Sequence, residues 1–243
     1  MRVALLLQGQ YRNAKECFPS IKKQILDVHN PDVFISSWHN PGTIINSYNL
    51  YSQGPPDDST IADIIEMYNP TSFLLEDYSR TIKDLFQKRQ KEIEDTISPS
   101  ELSYQRQWVN LFNVEGMWYK IYTVNQLKKE YEKLHEFKYD LVIKGRFDLE
   151  FLEEFKIPEV TDNDIVIPKG YGFGGYCDLL AAGTSKAMDY YCDIYNYAQQ
   201  YFTVKRFPKI GPEHVMKKHL EDFNVILPEY RIKFRNFIIN EVE

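Results

Sequence analysis

The sequence predicts an α/β domain with a mostly parallel central sheet flanked by helices. Two apolar runs carry this expectation. Val3-Ala4-Leu5-Leu6-Leu7 is a continuous apolar run that reads as a strand buried on two faces, as in a parallel sheet, and Asp32-Val33-Phe34-Ile35-Ser36 reads as a second strand. Between them, Asn13 to His29 places Ala14, Cys17, Phe18, Ile21, Ile25 and Val28 at helical spacing and stops at Asn30-Pro31. Strand, helix and strand in this order form a βαβ unit, expected to be right-handed.

The other elements follow along the chain. Residues 39–58 are rich in Pro, Gly, Asn and Ser and read as a loop. Ser59 to Tyr68 suits a short helix, with Ser59 or Thr60 as cap and Ile61, Ile64, Ile65 and Tyr68 on its apolar face. Ser72 to Leu75 suits a third strand, and 77–97 a charged, solvated helix before a loop at Ser98-Pro99. A long helical pattern spans 101–136. Its stripe (Trp108, Leu111, Trp118, Tyr122, Leu127, Tyr131) drifts, which predicts a break near Thr123-Val124-Asn125. Strands are expected at Tyr139 to Lys144, Ile165 to Ile167 and Leu179 to Ala182, with a Gly-rich loop at 170–175. Helices are expected over 185–201 and 212–223, and short strands near Val225 and Ile232. No repeat or low-complexity linker divides the 243 residues, so one domain over 1–243 is the economical reading.

Composition narrows the function. The net charge of -6, from 29 basic and 35 acidic residues, disfavours nucleic acid, whose binding rests on Lys and Arg releasing counterions. A phosphate-bearing small molecule needs only one or two basic groups and a helix N-terminus. The three cysteines, Cys17, Cys177 and Cys192, form no CxxC pair. Their odd number argues against a disulfide framework and for a reducing compartment. The N-terminus lacks a signal-peptide pattern and no run is long and apolar enough to span a bilayer, so a cytoplasmic protein, free or peripheral to a membrane, is expected. The turn after the first strand is not GxGxxG, and GxSxG and HExxH are absent, which removes a dinucleotide fingerprint there, a serine-hydrolase elbow and a zincin site. Aromatic residues are abundant at 15%. They fit a Tyr-rich core and also a carbohydrate site.

Four segments carry chemistry. Gln8-Gly9-Gln10-Tyr11-Arg12 directly follows the first strand, where doubly wound sheets bind ligands. Gly9 allows close backbone approach and Arg12 suits a phosphate, although a plain strand-to-helix turn explains the residues equally well. Lys144-Gly145-Arg146-Phe147-Asp148-Leu149-Glu150 follows another apolar strand. Asp148 and Glu150, spaced DxE, suit a hard divalent cation such as Mg²⁺ or Mn²⁺, with Lys144 and Arg146 neutralising a diphosphate. Internal ion pairing at a strand end is the plainer alternative. In the third segment, the loop Gly170-Tyr171-Gly172-Phe173-Gly174-Gly175 reads either as a turn cluster or as a lid with rings for sugar stacking; Asp178 after it is a candidate general base. In the fourth, Gly211-Pro212-Glu213-His214 is a good helix start in itself and also places Glu213 as a candidate site carboxylate.

Together these blocks resemble small GT-A-like glycosyltransferases of bacteria and large viruses. The resemblance rests on Leu6 to Arg12 with Asp32 to Trp38, on Tyr139 to Leu149 with its RxDL element (Arg146 to Leu149) in place of a strict DxD, and on Asp178 to Met188 with Pro212-Glu213. It implies a Rossmann-like GT-A domain with a nucleotide-binding half at about 1–150 and an acceptor half at about 151–243. It also implies transfer of a hexosyl or deoxyhexosyl group from a nucleotide-diphosphate sugar to a glycan or glycoconjugate hydroxyl. On that basis Gln8, Gly9, Arg12, Lys144, Arg146 and Asp148 would hold the donor, Asp148 and Glu150 a Mn²⁺ or Mg²⁺ ion, and Asp178 and Glu213 would be catalytic. Two other readings stay open: a nucleotidyltransferase or other nucleotide-sugar-processing enzyme, and a non-catalytic carbohydrate-binding module.

Overall fold

The computed structural model describes residues 1–11, 13–40, 58–77, 87–88, 91–92, 95, 111–203, 211–228 and 232–234. Arg12, most of the loop expected at 39–58, most of the charged segment 77–97, the loop at Ser98-Pro99 and the start of the long helical pattern, 101–110 with Trp108, lie outside these residues.

The main sheet has seven strands: β1 (Val3–Gln8), β2 (Asp32–Asn40), β3 (Ser72–Asp77), β4 (Leu141–Arg146), β6 (Asp164–Val166), β7 (Ala181–Gly183) and β8 (Asn224–Ile226). Their order across the sheet is β3-β2-β1-β4-β7-β6-β8. Pairing is parallel throughout except for β7, which runs antiparallel to both β4 and β6. A second, two-stranded sheet pairs β5 (Leu149–Phe151) with β9 (Ile232–Phe234). The expected mostly parallel α/β sheet is therefore present. Its first strand is buried at all six positions, which is why it reads as an unbroken apolar run.

The helices are α1 (Ala14–Ile21), α2 (Asp27–His29), α3 (Asp58–Tyr68), α4 (Leu111–Leu134), α5 (Ser185–Cys192), α6 (Ile194–Thr203) and α7 (Pro212–His219). Three expectations need correction. The first helix is not uniform: Lys22–Leu26 is π-helical between α1 and α2. The break expected near Thr123 is absent, because α4 runs unbroken from Leu111 to Leu134. Polar residues that made its apolar stripe drift are buried against partners: Lys120 on Glu76, Thr123 on Ser36, and Lys128 on Ser185 and Asp189. The helix expected over 185–201 is divided at Asp193, whose N–H bonds Tyr190 O as the last turn of α5 closes.

Helix α4 covers one face of β1, β2 and β3 with Trp118, Ile121 and Val124, all fully buried. Truncating one such large core side chain to Ala typically costs about 2–5 kcal/mol. A second aromatic group, Phe18, Tyr68, Phe147 and Tyr11, joins α1, α3 and the β4–β5 turn through edge-on contacts at 5.0 to 5.7 Å. Among the described residues no helix is long and apolar enough to cross a membrane.

Candidate functional site

The strand order fixes where a site belongs. From β1 the chain moves outward to β2 and β3, then returns across the sheet to β4 on the other side of β1. This reversal leaves a crevice at the carboxyl ends of β1 and β4, where open α/β sheets receive ligands. Gln8 is in register with Arg146 on β4 and with Ser36 on β2, so the three side chains leave the same face of the sheet.

Gly9 continues the turn. Its φ of +100° lies in the left-handed region that favours glycine, and a Cβ there would meet nothing within 4 Å. The turn is held by Gly9 N–H to Ser36 O at 3.1 Å and Ser37 Oγ to Gly9 O at 2.5 Å. Gln8 is only 1% exposed, yet among the described residues neither its Oε1 nor its Nε2 has a hydrogen-bond partner. A buried carboxamide left in this state carries its full desolvation cost. Its neighbour Ser36 shows the contrast, since Ser36 Oγ meets Thr123 Oγ1 of α4 at 2.8 Å.

On β4 and the turn after it, Arg146 closes on Asp148 bidentately, Nε to Oδ1 and Nη2 to Oδ2, both at 2.9 Å. Burial works against the Arg146 charge, but Asp148 and then Asp178 outweigh it and hold the guanidinium above its ordinary pKa. Lys144 is fully buried. Its ammonium donates to the carbonyls of Asp178 and Leu179, and burial, opposed by Asp178, brings its pKa down to about 8. Lys144 thus holds the chain that carries Asp178, and it reaches a ligand only through that chain.

Asp178 is itself buried and lies just before β7. Because β7 is reversed, its start sits beside the carboxyl end of β4, with Ala181 opposite Lys144. Glu213, in the first turn of α7, comes close enough to feel Asp178. Burial and then the Asp178 charge push the Glu213 carboxyl up to about 7. A carboxyl raised toward neutral pH in this way suits acid–base work. The segment 170–176 links Glu213 to Asp178. Tyr176 N–H donates to Glu213 O at 2.9 Å, and a Cβ on Gly175 would lie 2.1 Å from the same oxygen.

The structure thus gathers Gln8, Gly9, Arg146, Asp148, Asp178 and Glu213 at one edge of the sheet, with Lys144 beneath. Glu150 does not join them as a cation ligand: it lies in β5, in register with Lys233 of β9. Both oxygens of Asp148 already accept from the guanidinium, so a cation there would share them with Arg146. Among the described residues no group of three or more His, Cys, Asp or Glu side chains is arranged to hold a metal ion. The arrangement does not fit a pre-formed Asp148–Glu150 metal centre.

Residues that carry no sequence signal also reach this edge. Lys120 is fully buried, 2.7 Å from Glu76 Oε2 and 3.9 Å over the ring of Trp38, and Tyr119 Oη donates to Glu76 Oε1 at 2.9 Å. Burial, partly offset by Glu76, lowers the Lys120 pKa to about 8. Tyr191 of α5 is fully buried, feels Asp178, and its hydroxyl has no partner. A groove of about 730 Å3 lined by Lys129, Lys133 and Phe137 lies along the C-terminal half of α4, at the opposite end of the sheet from these groups.

An α/β protein with a seven-stranded, mostly parallel mixed sheet and a polar crevice at its topological switch is the class that these observations define. No protein-family model matches the chain, and no curated protein matches it.

Proposed function

We propose that the protein is a GT-A-type glycosyltransferase that moves a sugar from a nucleotide-diphosphate donor to an acceptor hydroxyl of a glycan or glycoconjugate. The observation that carries this reading is the buried, unpartnered carboxamide of Gln8 at the β1–β4 crevice, between the left-handed Gly9 turn and Arg146. A carboxamide offers one acceptor and two donors, which suits the nucleoside of a donor substrate. The open backbone at Gly9 admits the diphosphate. Arg146, which gives Asp148 two of its five N–H donors, faces the charge that develops on the leaving group, with Arg12 as a second cation.

The acceptor oxygen attacks the anomeric carbon, the bond from that carbon to the diphosphate oxygen breaks, and the nucleoside diphosphate leaves with the electron pair. The acceptor proton passes to the carboxylate pair. Glu213, its carboxyl pushed up to about 7, takes it, with Asp178 beside it. This describes an inverting reaction. No step needs a bound metal. Cys17, Cys177 and Cys192 are buried and form no disulfide, which suits a reducing compartment, and we assign the activity to the cytoplasm, free or at a membrane surface.

A thermal-shift screen of UDP, GDP, CDP and dTDP, with and without Mn²⁺, tests the donor site. A ligand at about 100 times its Kd adds about 2.7 kcal/mol to the folded state. A shift with one nucleotide, lost in Gln8→Ala, supports the reading, and absence of any shift moves the assignment to a binding module. Product analysis separates the remaining rival, because a nucleotidyltransferase releases pyrophosphate and a glycosyltransferase releases nucleoside diphosphate.

A further inference from the structure

The Gly-rich segment between β6 and β7 has a geometry that the donor site does not explain. Both its ends are tied down. Lys169 N–H donates to Pro228 O at 2.8 Å on one side, and Tyr176 N–H donates to Glu213 O at 2.9 Å on the other. Within it, Gly175 N–H bonds Gly172 O at 2.5 Å, Gly175 lies against the Glu213 backbone too closely for a side chain, and Gly174 lies against the His214 ring. The loop is therefore a folded turn seated on the first turn of α7.

From this seat it presents two rings. Phe173 is 78% exposed and Tyr171 42% exposed. Both have left-handed backbones, with φ of 43° and 50°, between Gly170 at 110° and Gly174 at 95°. Bulky residues rarely adopt such angles, and strain of this kind gathers at ligand-binding segments. Leaving the Phe173 ring in water on a strained backbone gains nothing for folding. Directly beneath the loop's anchor lie Glu213 and, coupled to it, Asp178.

We propose that Tyr171 and Phe173 form the stacking platform of the acceptor site and that the occupant is a neutral saccharide. The chemistry on the page selects this class. The flat rings match the C–H face of a pyranose, and the carboxylates match its hydroxyl donors, whereas the same pair repels a phosphorylated or carboxylated sugar. The inference rests on the transferase reading for the word acceptor, but the binding itself is separable from it.

The test is ligand-observed saturation-transfer NMR on the full chain. The probes are the methyl glycosides of glucose, galactose, mannose and N-acetylglucosamine, with glucose 6-phosphate as the charged comparison. The variant is Tyr171→Gly with Phe173→Gly, which removes both rings and also relieves the backbone, so folding is retained. We expect transfer to at least one neutral glycoside, strongest on the protons of one ring face, weaker to glucose 6-phosphate and lost in the double variant. No transfer to any neutral glycoside, equal transfer in the variant, or preference for the phosphate ester overturns the proposal. The nucleotide thermal shift, measured on the same two proteins, reports separately. If it is absent while glycoside binding is present and ring-dependent, the platform stands and the transferase reading fails.

Discussion

Arg146 and Asp148 meet through two parallel bonds of 2.9 Å, with the carboxylate of Asp148 completely buried. Two residues apart in sequence, they lock the turn that joins β4 to β5 and aim the guanidinium from the end of β4. Removing one partner of such a pair strands the other in a low-dielectric site. Asp148→Ala is expected to lower stability by about 3–5 kcal/mol in urea unfolding. An unchanged midpoint, together with loss of any Mn²⁺ effect on nucleotide binding, would instead make Asp148 a cation ligand.

Gln8 yields the opposite sign. Both of its amide atoms are buried without partners, so an apolar side chain of similar size relieves a cost. Gln8→Leu is expected to raise the stability of the free protein by about 1–3 kcal/mol while abolishing the nucleotide-induced thermal shift. A variant that is no more stable would mean that bound water already satisfies the amide.

The Glu213 carboxyl titrates near 7 in the folded chain because of burial and the Asp178 charge, against 4.5 in its ordinary state. Below about pH 4.5 it is protonated in folded and unfolded chains alike. As pH rises toward 7 the unfolded chain ionises first, so this group progressively weakens the fold, and the loss is complete above the folded pKa. Glu213→Gln is therefore expected to match the parent protein's Tm at pH 4 and to exceed it at pH 8. If Glu213 takes the acceptor proton, kcat/KM of the parent rises with pH through about 7, and the variant loses that limb.

Two glycines separate conformation from crowding. Gly9→Ala meets no atom within 4 Å but keeps a left-handed φ, and is expected to cost about 1–2 kcal/mol through the backbone alone. Gly175→Ala drives a methyl group into the Glu213 main chain, and is expected to unseat the 170–176 loop from α7. Limited proteolysis of that loop should rise in Gly175→Ala and stay unchanged in Gly9→Ala.

The strands were legible because burial on both faces writes itself as an unbroken apolar run, as in Val3 to Leu7. The crevice was legible through Gly9, whose place after that run allowed only a turn. What hid from the sequence was pairing. Asp148 and Glu150 share a spacing that suits a cation, but a turn intervenes, so one carboxylate folds back on Arg146 and the other enters β5 opposite Lys233. Lys120 and Glu76 lie 44 positions apart, and nothing local marks Lys120 as buried or Glu76 as its partner. The unbroken α4 was obscured for the same reason: its buried lysines look like solvent-facing positions until their acidic partners on other elements are known.

The single reversed strand gives the molecule a division of labour. The β1, β2 and β4 side of the crevice is assembled through crossovers that any change in length would disturb. Residues 167–180 instead leave the edge at the end of β6 and return to it at the start of β7, an out-and-back excursion between neighbours. Such a segment can lengthen, shorten or change its rings without altering strand order. This makes it an exchangeable cassette, through which a lineage can change what it recognises on one side of the crevice while inheriting the other side intact.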